Sequence, residues 1–211
     1  MMIPLIGGEI IGNIESIVLT IFAAYQGSAE AATWILMSYV WSFVELIPSC
    51  FADAASVRVV RHLSKSRVEF AQRLCFYSIK VGAFLSVICS VVLFCGGRLF
   101  VWCLSLDETL EQMLLEIIPY IVICQPFVSV GTVVWGFLDA LHIYKQATYV
   151  SAVITIVFIL PYAAMMTYYY NYNIEGLASA MCIGYTAMGV ASIGIFINAD
   201  WDRAVRKAQI V

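Results

Sequence analysis

Four polar side chains stand where a long apolar run should admit none. Glu9, Asn13 and Glu15 fall inside the first such run of the chain, and Glu45 falls inside the second. An ionisable group at the centre of a membrane helix costs at least about 2.5 to 3.5 kcal/mol on insertion scales, so it needs a partner or a wet cavity. At about 100° per residue, Glu9 and Asn13 share a face, while Glu15 is turned away from them. All three cannot face lipid. An acid lining a wet interior holds a proton when the site is empty and gives it up to a cation, because burial favours the neutral form and a bound cation favours the charged one. The chemistry expected of Glu9, Asn13, Glu15 and Glu45 is therefore proton or cation binding. The plainer alternative is that Glu9 lies in the headgroups and that Glu45, just ahead of Pro48, only reaches the membrane interface. Glu116 and Asp139 sit at the ends of apolar runs, where solvation accounts for them.

These acids are embedded in an unusually apolar chain. Of 211 residues, 63% are hydrophobic and 12% charged, with a mean hydropathy of +0.92. Soluble domains carry about twice that share of charged residues, roughly 25%. This is the composition of an integral membrane protein. Six stretches approach the roughly 20 apolar residues that a bilayer core about 30 Å thick requires. They cover residues 3–25, 32–51, 74–94, 117–138, 148–168 and 174–197. The fold class expected is all-α, with six transmembrane helices and both termini on one side.

The connections carry the sidedness. After Pro48 the chain gathers Arg58, Arg61, Lys65, Arg67 and Arg73 before the third run begins, and ten of the eleven Lys and Arg residues, all but Arg98, fall on the side of the two termini. By the positive-inside rule that side is cytoplasmic. Tyr168, Tyr169, Tyr170 and Tyr172 are then expected at the outer interface and Trp201 at the inner one. Residues 96–113, with Arg98, Asp107, Glu108 and Glu111, read as an amphipathic helix on the membrane face. Small residues at four-residue spacing, Gly8 and Gly12 in the first run and Gly176, Ala180 and Gly184 in the last, permit close helix approach.

Enzymatic chemistry is not expected. His62 and His142 lie in connections with no serine or cysteine placed to pair with them, and no glycine loop that could cradle phosphate follows a strand. The seven cysteines are scattered without a CxxC and read as small buried hydrophobes, with no metal or cofactor implied. Topology accounts for the basic stretch, so no nucleic-acid partner is expected; the lipid bilayer is the surface it meets.

Pro48 followed by Ala54-Ala55-Ser56-Val57-Arg58-Val59, then Leu63, Glu69 and Ala71, resembles the segment ending the eighth helix of multidrug and toxic compound extrusion (MATE) transporters. Three more pieces agree in order: residues 119–127 with Gly136-Phe137-Leu138 resemble the tenth helix, Leu160-Pro161 with Gly176-Leu177 the region of the eleventh and twelfth, and Asp200-Trp201-Asp202-Arg203 with Ala208 the tail. The resemblance implies the C-terminal six-helix lobe of a twelve-helix transporter. It also implies Pro48, Ser56 and Arg58 as a motif at a cytoplasmic gate, and export of small organic cations or amphipathic compounds by antiport with H+ or Na+ as coupling ion. A plasma or vacuolar-type membrane is the expected location. The chain departs from the family at Val60, Ser64 and Ser66, where glycines are usual, at Val128, where an acid is frequent, and at Asp139, where an arginine follows. A single lobe needs a partner, either a missing N-terminal lobe or a second copy as a homodimer, and both a truncated piece and a true half-transporter are open readings. A non-transporting membrane subunit and a lipid flippase of the wider superfamily are the alternatives.

Overall fold

The structure, a computed structural model, describes residues 2–65, 67–104, 107–141, 143–169 and 174–201; the side chains described exclude those of residues 2–11, 100, 103 and 104. Seven α-helices account for the described chain: α1 (Met2–Gln26), α2 (Ser28–Ser64), α3 (Val68–Leu104), α4 (Glu108–Ala140), α5 (Tyr144–Ile154), α6 (Leu160–Tyr168) and α7 (Ile174–Ile197). A π-helical turn, Thr155–Ile159, joins α5 to α6, so that α5, the turn and α6 make one continuous fifth rod. Among the described residues, five of the six rods are long and apolar enough to cross a membrane; α1, whose first side chains lie outside the described set, is the sixth.

Two expectations about the connections are corrected. α2 does not end near residue 51: it runs through Pro48 to Ser64, and the basic residues Arg58 and Arg61 are its last turns. A helix of 37 residues rises about 55 Å, against roughly 30 Å of hydrocarbon. The helix therefore carries its cations out into the aqueous phase. Proline removes one helical hydrogen bond and strains the turn before it; here the helix continues because Pro48 is buried against its neighbours. Likewise, among the described residues of 96–113 there is no separate surface helix. α3 continues to Leu104 and α4 starts at Glu108, where the Asp107 Oδ1 caps it by accepting from the Thr109 N–H at 3.1 Å and the Thr109 hydroxyl at 3.0 Å. Gly97 does not break α3 because it faces the Ile118 side chain, which a Cβ there would approach to 2.9 Å.

Helix directions follow from which residues meet. Along α2 and α4, Thr33 reaches Met113 and Glu45 reaches Gln125, both 80 residues apart, which makes the helices parallel. Cys124 meets Cys182 at a separation of 58, and Gly131 meets Gly189 one heptad further on each chain, so α4 and α7 are parallel as well. Repeating contacts every seven residues describe a seam with the shallow crossing of left-handed bundles. Against α4, α3 is antiparallel, with Gly97 at Ile118 and Gly82 at Val133. α1 runs parallel to the fifth rod. Their separation is 140 at Glu15 and Thr155 but 141 at Gln26 and Thr167, the one added residue being what an intervening π turn supplies. Odd and even rods thus alternate in direction. The start of α1 and the end of α7 lie at the same end of the bundle.

The core falls into two apolar clusters. One is built on Val40, Val44, Ile117, Ile121, Ile159 and Leu177; the other on Val59, Leu63, Val133, Phe137, Leu141 and Phe196. At the α4–α7 seam the backbones nearly touch: a Cβ on Gly131 would lie 2.9 Å from the Gly189 Cα, and one on Gly189 would lie 2.8 Å from the Phe127 carbonyl oxygen. Lipid provides no hydrophobic drive between helices, so close backbone packing of this kind carries the association. The small residues noticed in the sequence divide: Gly184 faces Ile159, while Gly12 opens on empty space. Gly189→Ala is expected to destabilise the bundle by about 1 to 3 kcal/mol through overpacking, with Gly12→Ala as a neutral control. Thermal unfolding in detergent would show it, and equal midpoints for the two variants would mean that the seam has room to spare.

Candidate functional site

Between the two apolar clusters lies a polar layer. Glu45 of α2 projects onto α4, where its Oε2 accepts from Gln125 Nε2 at 3.0 Å and its Oε1 accepts from the Thr132 hydroxyl at 2.5 Å. The second proton of Gln125 Nε2 goes to Ser129 Oγ at 3.0 Å. The short Thr132 contact has the length of a charge-assisted O–H···O bond. On α4 these partners sit at 125, 129 and 132, a spacing that places all three on one helical face. The remaining oxygen, Gln125 Oε1, is buried with no hydrogen-bond partner among the described residues.

Glu15 is the second carboxylate of the interior. Only 3% of it is exposed, although it belongs to the outermost helix of the chain. Its Oε2 accepts from the Thr155 hydroxyl at 2.8 Å, and the Tyr185 hydroxyl of α7 is directed toward the same carboxyl group. Its Oε1 is left without a partner of hydrogen-bonding geometry among the described residues. Thr155 is the first residue of the π turn, which turns its hydroxyl to Glu15 and is followed by Leu160 and Pro161 in the first turn of α6. Such turns widen a helix locally and often mark a site.

Tyr185 connects the two. It packs on Trp41 with ring centroids 5.7 Å apart, and both rings line a cavity of about 360 Å³ that also takes in Glu45, Thr132, Trp135 and Ser151. Gly131 and Gly189, the touching pair of the seam, lie in its wall. α2, α4, α5 and α7 each contribute. The arrangement is a carboxylate beside three aromatic faces, which attracts a positively charged group electrostatically.

Of the residues expected from sequence, the structure gathers Glu45 and Glu15 around Tyr185. Asn13 is not gathered with them: it is exposed on α1, because two residues of helix turn it about 200° from Glu15. The Glu9 side chain lies outside the described residues. Pro48 is buried three residues from Glu45. Ser56 donates to the Asp53 carbonyl at 2.8 Å within its own helix, and Arg58 is exposed with no ion pair among the described residues, so neither reaches the cavity. Sequence reading missed Trp41, Gln125, Thr132, Thr155 and Tyr185. Gln125, Ser129 and Thr132 at positions i, i+4 and i+7 of an apolar run were a legible polar stripe; Trp41 and Tyr185 gave no such signal.

With this geometry in view, the comparisons are decisive. The MatE family model matches residues 4–165. The chain belongs to the MatE family. It is 23% identical to multidrug and toxin extrusion protein 1 of Homo sapiens over 184 residues, covering 87% of this chain and 32% of that protein. With the same protein of Mus musculus the identity is 23% over 198 residues, 94% of this chain and 34% of the relative. The crystal structure of the eukaryotic MATE transporter AtDTX14 superposes with a TM-score of 0.86 at 18% identity, covering 91% of this chain and 44% of that one. An inward-facing multidrug resistance MATE family transporter of the MOP superfamily superposes with a TM-score of 0.75 at 11% identity. This MatE chain therefore has the fold of a membrane transporter, and it spans about a third of the length of its curated relatives.

Thr132→Val removes the donor that satisfies Glu45 Oε1, and leaving a buried acceptor unmet costs about 1 to 3 kcal/mol. The loss should shrink when Glu45→Leu is added, since both polar partners are then gone. A double-mutant cycle on detergent-solubilised chain measures this, and simple additivity of the two changes would show that the pair does not interact.

Proposed function

We propose that this chain is the C-terminal lobe of a secondary antiporter that exports small organic cations in exchange for H+ or Na+. One observation carries the reading: the cavity that sets the Glu45 carboxylate among the rings of Trp41, Trp135 and Tyr185, with Glu15 behind Tyr185. A desolvated cation over an aromatic face gains up to about 2 kcal/mol or more, and the carboxylate supplies the opposite charge. A proton on Glu45 or Glu15 is then the natural competitor of a bound cation. Each of the two ligands lowers the affinity for the other by the same factor. Tyr185, in contact with both regions, is the group through which occupancy of one acid is felt at the other. For Na+, the oxygens available are those of Glu15, Thr155 and Tyr185, which are hard donors of the kind such ions take.

A single lobe leaves the cavity without its opposite wall. Lobes repeated about an axis along the membrane normal are a common transporter plan, so an N-terminal lobe or a second copy completes the cleft. The excess of Lys and Arg at the end shared by the start of α1 and the end of α7 supports a cytoplasmic placement of that end. Val128, an apolar residue in the cavity wall where the resembled family often has an acid, favours as a second reading a non-transporting subunit of a larger MatE assembly.

The test is uptake of tetraethylammonium by proteoliposomes holding the chain together with the N-terminal lobe of a full-length relative, driven by a pH gradient and separately by a Na+ gradient. Glu45→Gln and Glu15→Gln are each expected to lower pH-driven flux about tenfold or more, and Trp41→Ala to weaken cation binding about tenfold, the equivalent of roughly 1.4 kcal/mol. Full flux in both carboxamide variants would remove the acids from the mechanism. Absence of flux together with stable co-purification would leave the subunit reading in its place.

A further inference from the structure

The seven cysteines read from sequence as inert space-fillers, yet two of them meet. Cys124 of α4 and Cys182 of α7, 58 residues apart in the chain, bring their sulfurs to 3.1 Å. Each thiol has its own acceptor: Cys124 Sγ lies 3.5 Å from the Ile121 carbonyl oxygen, and Cys182 Sγ lies 3.1 Å from the Tyr120 carbonyl oxygen. The Cys182 thiol is within donating distance of both the Tyr120 carbonyl oxygen and Cys124 Sγ. A further approach of about 1 Å reaches the covalent S–S length of about 2.05 Å. One heptad along the seam, Gly131 and Gly189 already hold the two backbones at contact.

The geometry points to Cys124 and Cys182 as an oxidisable dithiol, closed to an α4–α7 disulfide by a hydroperoxide. Cys182 is the half-buried member and Cys124 the buried one. Attack of the Cys182 sulfur on the O–O bond of ROOH forms an S–O bond, releases ROH and leaves a sulfenic acid. The Cys124 sulfur then attacks that sulfur, the S–S bond forms, and the hydroxyl leaves as water with the Cys124 proton. Two thiols and one ROOH give one disulfide, ROH and water, with the two electrons from sulfur reducing the O–O bond. The product staples the seam that walls the Glu45 cavity, at a level one heptad from its glycine pair. A lipid hydroperoxide and hydrogen peroxide share this chemistry.

The experiment treats the chain in membranes with hydrogen peroxide in one arm and cumene hydroperoxide in the other, blocks remaining thiols with a maleimide, and maps peptides by mass spectrometry. A linked Cys124–Cys182 peptide, reversed by dithiothreitol, is expected to precede oxidation of the exposed Cys50 and Cys95 in at least one arm. The arm that reacts faster identifies the source as aqueous or lipid. Cys124→Ser is expected to stop the reaction at a Cys182 sulfenic acid that dimedone traps, and Gly189→Leu, by wedging the helices apart, to slow closure several-fold. The proposal is overturned if Cys124 and Cys182 stay open to maleimide while other cysteines oxidise, if either pairs with a different cysteine, or if the unmutated chain accumulates dimedone-trapped Cys182 without a linkage.

Discussion

A carboxylate held at mid-depth in a bundle of apolar helices is the constraint on which the rest of this molecule turns. Glu45 cannot face lipid without a large cost, so α4 must offer it hydrogen bonds, and those of Gln125 and Thr132 answer both oxygens. Satisfying them fixes α2 against α4 in one register. A shift by a single residue would rotate the donors about 100° away. The apolar clusters on either side then form where that register places them, and the polar layer divides one from the other.

The second acid is accommodated differently. Glu15 sits on a peripheral helix and turns inward, where the π turn brings Thr155 to it and α7 brings Tyr185. One residue inserted in the fifth rod changes its register against α1 by one and sets a hydroxyl where a regular helix would set another face. Unmet capacity persists at both acids' neighbourhoods, at Glu15 Oε1 and Gln125 Oε1. Buried polar atoms left in this state are costly. The cavity that Glu45 and Tyr185 line is walled by rings and glycines.

The α4–α7 seam gives the bundle its rigid centre. Gly131 and Gly189 bring the backbones together, and the same separation brings Cys124 to Cys182 one heptad away. Packing, cavity wall and thiol pair are therefore consequences of one close approach.

Hydropathy, the count of apolar runs and the placement of Lys and Arg determined by themselves that this is a six-rod membrane protein, because the bilayer imposes a length and a polarity that local composition must meet. The order Pro48, Ser56, Arg58 and the later motifs likewise determined its family, being a pattern of residues and needing no geometry. Helix ends were less legible: α2 and α3 outrun the hydrocarbon, and composition marks where lipid stops, which is not where the helix stops. Only tertiary structure decided that Glu15 and Glu45 turn inward while Asn13 turns out, that Tyr185 stands between the acids, and that Cys124 and Cys182 touch. Apolar residues cover most faces of a membrane helix, so outside a polar stripe such as Gln125, Ser129 and Thr132 periodicity does not reveal which face is inside. That choice is made by partners 58 to 141 residues away in the chain.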